Sequence, residues 1–309
     1  MKTPEIRIGT RGSTLAMWQA NEIKRRLANA HPEISVQIIV VKTTGDIHQE
    51  VALSQLPGKA FFTKEIEEEM LGGRIDLAVH SGKDVPTKLP SGLTLAGFIK
   101  RHSPLDAFIS AAASGFAGLK PGDRVGTSSL RRRALVASLR PDLKILDLRG
   151  NVDTRLRKLD EGQYEAILLA SAGLERLELE DRITARLDPV QFPPAVSQGA
   201  MALEIRREDT LLADLLRPLV HRETTLAVTA ERALLAFLEG GCQVPLGALA
   251  EVEGEELRLS ASIIAPDGSK RVDGSLAGAA THGASLGETL AQTLLDEGGH
   301  EIMSLLGRE

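Results

Sequence analysis

Two hydrophobic rhythms alternate through the first two thirds of the chain. One is a short continuous apolar run, the other a longer stretch with apolar residues every three or four positions. The first predicts buried strands and the second amphipathic helices. Residues 6–8 lead into the loop Gly9-Thr10-Arg11-Gly12-Ser13, and a helix follows with Ala16, Ala20, Ile23 and Leu27 on one face. Residues 36–41 predict a second strand, and Phe62, Ile66 and Met70 mark another helix. Residues 75–80 predict a strand ending in Ser81-Gly82-Lys83-Asp84. The grammar then repeats. Val125 leads into Gly126-Thr127-Ser128-Ser129 and a helix from near Leu130, and residues 144–148 lead into Arg149-Gly150-Asn151 and a helix carrying Val152, Leu156 and Leu159. Residues 166–170 lead into the loop Ser171-Ala172-Gly173. This alternation implies α/β layers with largely parallel sheets, whose ligands bind beyond the carboxyl ends of the strands, where these polar loops fall.

The last third reads differently. A helix from about Thr224 carries Leu226, Ala230, Ala233, Leu234 and Phe237 and stops at Gly240-Gly241. Two strand-like runs, 257–265 and 270–276, are joined by Pro266-Asp267-Gly268, and a final helix has Leu286, Leu290 and Leu294 in register. A separate small α+β domain beginning near residue 218 is expected, and no internal repeat is visible.

Composition narrows the function classes. The 309 residues leave room for two or three domains. A net charge of −5, with 3% aromatic residues, one Trp and one Tyr, argues against nucleic acid as a partner. The single cysteine, Cys242, excludes an internal disulfide and cysteine-rich metal sites, and the seven histidines show no helical ligand spacing, so no metal is expected. No Walker A, HExxH, GxSxG or GxGxxG motif occurs. The first residues, MKTPEIRIGTRGS, lack the apolar run of a signal peptide, and no stretch of about 18 apolar residues suggests a membrane span. A cytoplasmic protein with no membrane partner is expected.

Ser128-Ser129-Leu130-Arg131-Arg132-Arg133 carries the strongest chemical signal. Cations in the first turn of a helix oppose its dipole, by about 0.3–1 kcal/mol each at exposed sites. An anionic ligand would turn that penalty into a binding site, and a solvated basic face is the alternative. Arg11, Arg149 and Arg155 repeat the placement of an arginine near a strand end, which suggests a cleft for a molecule bearing several carboxylates or phosphates. Lys83-Asp84 is either an acid/base pair or an exposed loop ion pair worth little. Cys242, between Gly240-Gly241 and Pro245, lies in a loop at the negative end of a helix. That placement does not activate a thiol for turnover, but a covalent attachment point has no need of it.

At these residues the chain resembles the porphobilinogen deaminase (hydroxymethylbilane synthase) family of tetrapyrrole biosynthesis. The likeness covers IGTRGSTLA from Ile8, TTGD from Thr43, AVHSGKDVP from Ala78, GTSSLRRR from Gly126, LRGNVDTRL from Leu148, AVSQGAMALE from Ala195, TAERALL from Thr229 and LEGGCQVPLGA from Leu238. The resemblance implies a dipyrromethane cofactor held by a thioether to Cys242. Onto it four porphobilinogen molecules condense head to tail with loss of ammonia, before hydrolysis releases hydroxymethylbilane. It implies that Arg11, Arg131, Arg132, Arg149 and Arg155 hold carboxylates of the chain, that Arg176 lies near the substrate, and that Asp84 is the catalytic carboxylate. Lys83, Ser13, Thr127 and Ser129 match cofactor-binding positions, Ser81 and Gln198 match positions of less defined role, and Lys59 belongs to a segment, about 43–60, that closes over the cleft.

The implied fold is α/β, with two periplasmic-binding-protein-like domains flanking the cleft and a small C-terminal α+β domain that carries the cysteine. The divisions expected are 1–99 plus 200–217, 100–199 and 218–309, in a monomer. The chain departs from the family pattern at Gly82, where a larger apolar residue is common, at Gln55 and Pro57, and at Ser197, where Gly is usual. A loosened Asp84 loop is the expected effect of Gly82. A non-catalytic anion-binding protein is the competing function; such a binder needs neither Cys242 nor Asp84.

Overall fold

A computed structural model of the chain describes residues 5–47, 61–238 and 245–306. The strands in order are β1 (Glu5–Thr10), β2 (Ser35–Val40), β3 (Leu77–Ser81), β4 (Leu93–Phe98), β5 (Asp106–Ile109), β6 (Arg124–Gly126), β7 (Lys144–Leu146), β8 (Ala166–Ala170), β9 (Ala185–Arg186), β10 (Met201–Arg206), β11 (Leu246–Glu253), β12 (Glu256–Ile264) and β13 (Arg271–Ala279). Between them run α1 (Thr14–Ala30), α2 (Thr44–Ile47), α3 (Lys64–Leu71), α4 (Leu130–Leu139), α5 (Val152–Asp160), α6 (Ser171–Arg176), α7 (Thr210–Leu216), α8 (Arg222–Phe237), α9 (Gly283–Leu294) and α10 (His300–Leu306). No helix among the described residues is long and apolar enough to cross a membrane.

Local sequence accounts for the start of each unit. Ser13 caps α1 by accepting the Ala16 N–H at 3.3 Å, and the predicted stripe Ala16, Ala20, Ile23 and Leu27 is buried. Ile23 and Leu27 join a core with Ile6 and Ile8 of β1, Leu77 and Val79 of β3, and Met201 and Leu203 of β10. Ser129 and Asn151 cap α4 and α5 in the same way.

The first sheet has the order β2-β1-β3-β10-β4, and the second β7-β6-β8-β5-β9. The expectation of largely parallel sheets holds for half of each. β2, β1 and β3 are parallel, but β10 runs antiparallel between β3 and β4. Likewise β7, β6 and β8 are parallel, while β5 is antiparallel to β8 and β9. The parallel halves come from strand–helix–strand crossovers that periodicity registers. The antiparallel strands pair across long sequence separations, to which a local pattern is blind.

The C-terminal sheet, β11-β12-β13, is antiparallel throughout, with α8 and α9 on one face. β11 is absent from the sequence reading because its small residues, Gly247, Ala248 and Ala250, give no strong apolar run. Phe237, expected on the buried face of α8, is 41% exposed, and Ala227, Val228, Ala230 and Leu234 form the buried stripe instead. Gly287 permits α9 to lie this close to α8, since a Cβ there would stand 2.3 Å from the Ala230 carbonyl oxygen. Two local corrections remain. Ser171-Ala172-Gly173 is the first turn of α6 rather than a loop, and Phe62 lies in the turn before α3.

A buried carboxylate on α8 holds the three sheets' connections together. Glu231 accepts both Arg101 guanidinium NH groups at 2.6 and 3.2 Å, the Ser197 N–H at 2.7 Å and the Ala250 N–H at 2.9 Å. Arg101 lies between β4 and β5, Ser197 precedes β10, and Ala250 is on β11. Glu231→Ala orphans all of these donors at once. A loss of about 3–5 kcal/mol is expected, the range for breaking a buried ion pair from one side, measurable by urea unfolding. A loss under about 1 kcal/mol would show that water replaces the carboxylate.

Candidate active site

The polar loops predicted from sequence lie at the carboxyl ends of the parallel strands of the two sheets, and Lys83, Gln198 and Asp106 link the two sets. Arg11 and Ser13 follow β1, Ser81 ends β3 with Gly82 to Asp84 after it, Thr127 to Ser129 follow β6, Arg149 follows β7, and Arg176 ends the helix after β8. A chain of polar contacts bridges the gap. The Lys83 ammonium donates to Gln198 Oε1 at 3.4 Å, and Gln198 Nε2 donates to Asp106 Oδ1 at 3.1 Å and to the Pro104 carbonyl at 2.8 Å.

Asp106, fully buried at the start of β5, is where this chain ends. Its Oδ2 accepts Arg131 at 2.7 Å, and its Oδ1 accepts Arg132 through Nε at 2.9 Å and a terminal NH at 2.6 Å. The two arginines also donate to the Pro193 and Leu168 carbonyls. Arg131 and Arg132 are each only 5% exposed, so they form no solvated face, and their first anion is one of the protein's own. Arg133 is the solvent-facing member, 3.5 Å from Asp147. Burial alone would raise the Asp106 pKa; Arg131 and Arg132 overcome it and hold the group well below the usual carboxylate range.

Arg149, Arg155 and Arg176 are compensated only at longer range, by Asp147, Asp84 and Glu175 respectively. Among the described residues none has a carboxylate within ion-pair distance. Arg155 donates to the Gly150 carbonyl at 2.7 Å and Arg176 to the Gly199 carbonyl at 2.6 Å. The Nε atoms of Arg176 and Arg131 are buried without a partner. Burial lowers the pKa of Arg155 to about 10, helped by Arg132 and Arg149, and burial likewise takes Arg176 to about 10. Lys83, placed by the sequence beside Asp84, makes no ion pair with it; burial first and then Arg132 bring its pKa from 10.5 to about 8. Asp106, fully buried, and Asp84, half-buried, thus face a cluster of cations.

Asp84 ends a short 3₁₀ turn, Gly82–Asp84, and makes no hydrogen bond or ion pair among the described residues. It borders a cavity of about 70 Å³ together with Arg11, Ser13, Gln19, Phe62, His80 and Ser81. Arg11 stacks 4.1 Å over the Phe62 ring and pairs with Asp46, an anion the sequence reading did not foresee for it. Ser81 accepts from Gln19 at 2.9 Å. Thr127 is buried and accepts the Ser129 N–H at 3.2 Å. Gly82 is buried against Ser197, so the turn is packed rather than open. Lys59, Gln55, Pro57 and Cys242 lie outside the described residues.

Two sequence models of a single family match the chain. Residues 6–214 match "Porphobilinogen deaminase, dipyromethane cofactor binding domain", and residues 225–296 match "Porphobilinogen deaminase, C-terminal domain". The chain belongs to the porphobilinogen deaminase family. Porphobilinogen deaminases are transferases of tetrapyrrole synthesis, and the longer match is the family's dipyrromethane-binding region. Solved structures of similar outline have periplasmic-binding-protein-like folds. The periplasmic VFT2 domain of Bordetella pertussis BvgS is 16% identical, with 75% of this chain and 93% of that one covered and a TM-score of 0.43. A putative methionine-binding lipoprotein from Bacillus subtilis is 9% identical, with 73% and 93% covered and a TM-score of 0.45. The methionine binding protein MetQ is 14% identical, with 74% and 93% covered and a TM-score of 0.44. Likenesses this distant say nothing of ligand or chemistry.

In this deaminase-family chain, Asp106 and Gln19 are the site neighbours that sequence reading missed. Both left a trace. Asp106 is a charge opening the apolar run Ala107-Phe108-Ile109, and Gln19 is a polar residue within the buried stripe of α1.

The Lys83 ammonium yields a pH prediction. Its folded pKa lies below the unfolded one, so between about pH 8 and 10.5 the unfolded chain binds more protons and stability rises with pH. Wild-type protein should show this rise relative to Lys83→Met in unfolding curves taken across that window. Parallel curves for the two proteins would mean that Lys83 is solvated.

Proposed function

We propose that the protein is a hydroxymethylbilane synthase. In this reading it joins four porphobilinogen molecules head to tail on a dipyrromethane held by a thioether at Cys242, releases one ammonia per ring added, and hydrolyses off the linear tetrapyrrole. The single observation that carries it is that Arg149, Arg155 and Arg176, half-buried to fully buried, have no carboxylate within ion-pair distance among the described residues. Every pyrrole ring of the substrate bears an acetate and a propionate, so a growing chain supplies the missing anions two at a time.

The side chains suit dipyrromethane on the same ground. Arg149, Arg155 and Arg176 lack ion-pair partners among the described residues, and unsatisfied Nε atoms remain on Arg131 and Arg176. These guanidinium groups, with Lys83, Ser13, Thr127 and Ser129, would hold its carboxylates through charge-assisted hydrogen bonds. Arg132 would act beside them while anchored to Asp106, and Arg11 would leave Asp46 to join them. When bound, the cofactor supplies the nucleophilic pyrrole carbon on which the chain grows.

Asp84 is assigned the chemistry. Its carboxylate, without a partner in the cavity beside Ser81, accepts a pyrrole N–H and opposes the positive charge that develops on the incoming ring as ammonia departs. Lys83, with its proton loosened by burial, sits one residue away but donates to Gln198 and makes no ion pair with Asp84. The divisions 1–99 plus 200–217, 100–199 and 218–309 fit this reading, since the residues invoked come from both sheets and Cys242 from the third unit. Closure by the segment carrying Lys59, monomeric state and a cytoplasmic location belong to the same proposal.

Ammonia release and tetrapyrrole formation from porphobilinogen test it directly. Asp84→Asn keeps the shape of the turn but removes the charge. Turnover should fall by about 10²–10⁴, the range for a group acting on charge or proton transfer, with an unchanged unfolding curve. Near-normal turnover in that variant would remove Asp84 from this role, and no product from the wild-type chain would leave an anion-binding protein as the better reading.

A further inference from the structure

Ser197 is an unfavourable residue for its position on three counts. Its φ is +63°, in the left-handed region that costs an L side chain energy. It is fully buried, and its hydroxyl has no hydrogen-bond partner. A glycine would relieve all three, so stability alone does not explain a serine here. Residues held in such conformations persist where the surroundings over-determine them, and they concentrate at functional sites.

The surroundings show what holds Ser197 and what it holds. Its N–H is fixed by the buried carboxylate of Glu231 at 2.7 Å, and its carbonyl accepts the Ala200 N–H at 3.2 Å. The Ala200 carbonyl in turn accepts the Gly82 N–H at 2.9 Å. A Cβ built on Gly82 would lie 3.1 Å from the Ser197 Cβ, 3.2 Å from the Ser197 carbonyl oxygen and 3.3 Å from that of Ala200. A side chain at Gly82 would thus be tight against the Ser197 Cβ and against two backbone carbonyl oxygens. Lys83 and Asp84 follow directly, in a turn closed by the Val85 N–H on the Gly82 carbonyl at 3.2 Å. The next residue, Gln198, is the one that receives Lys83.

We propose that Ser197 is a positioning residue for the reaction. Its Cβ, pressed against Gly82, sets the Lys83-Asp84 turn, and its hydroxyl contributes nothing. The proposal rests on the reading of Asp84 as the reactive carboxylate. With glycine at both positions, two flexible backbones would face each other across a void. The turn would then lose its backstop without losing a hydrogen bond.

A set of variants separates the roles. Ser197→Ala keeps the Cβ and removes the orphan hydroxyl, so kcat and KM should match wild type while Tm rises. Ser197→Gly should also raise Tm, by about 1–2 °C, yet lower kcat by about tenfold with KM unchanged, as displacement of a reacting group does. Gly82→Ala should lower Tm in the wild-type background and lower it less beside Ser197→Gly, because the 3.1 Å contact is then gone. The double variant, with a Cβ restored on the opposite side, should recover kcat toward wild type. Wild-type kcat in Ser197→Gly would overturn the proposal, as would a loss in Ser197→Ala equal to that in Ser197→Gly. Wild-type protein that makes no product would overturn the functional reading instead. The thermal cycle would then decide the pairing alone, with additive Tm shifts refuting it.

Discussion

The site depends on one carboxylate taken wholly out of water. Asp106 receives three hydrogen bonds from two guanidinium groups and a fourth from Gln198, and without it Arg131 and Arg132 could not be buried side by side. A buried ion pair is weak evidence for stability, because desolvation consumes much of its Coulomb energy. Its value here is geometric. It pins the first turn of α4 to the start of β5, and through Gln198 it couples both to Lys83 on the other sheet. A helix start loaded with cations, costly by itself, becomes rigid.

Rigidity and charge imbalance then act together. Burial lowers the pKa values of Arg155, Arg176 and Lys83, and neighbouring positive charge adds to the lowering for Arg155 and Lys83. A ligand rich in carboxylates relieves that imbalance at several points. A fixed lattice of guanidinium groups, each offering a planar fork, suits a chain that lengthens by the same acidic unit at each step. Asp84 lines a small cavity with Arg11 and Ser13 and makes no ion pair among the described residues.

Much of this was legible in the residues, and what was not has physical reasons. The parallel halves of the sheets, their helices and the polar loops at the strand ends follow from apolar spacing and capping residues. The antiparallel β5 and β10 do not, because each gains its partners from distant segments. The arginine run could be singled out as anomalous, but its electrostatic partner could not, since nothing local links Asp106 to residues 131 and 132. The same blindness applies to Gly82 and Ser197. Each is visible as an oddity, and only the fold shows that a side chain at one would crowd the other. Asp46 on Arg11 is a further contact that no spacing announces.

The central claim is that the unpartnered cations exist to hold an acidic polypyrrole fixed to Cys242. The intact mass of purified protein, incubated with porphobilinogen and compared with Cys242→Ala treated alike, tests this most directly. The account predicts an excess over the sequence mass equal to two linked pyrrole units, with heavier species spaced by one further unit, all absent from the variant. A wild-type mass that stays at the sequence value after incubation, or an equal excess on the variant, would contradict it.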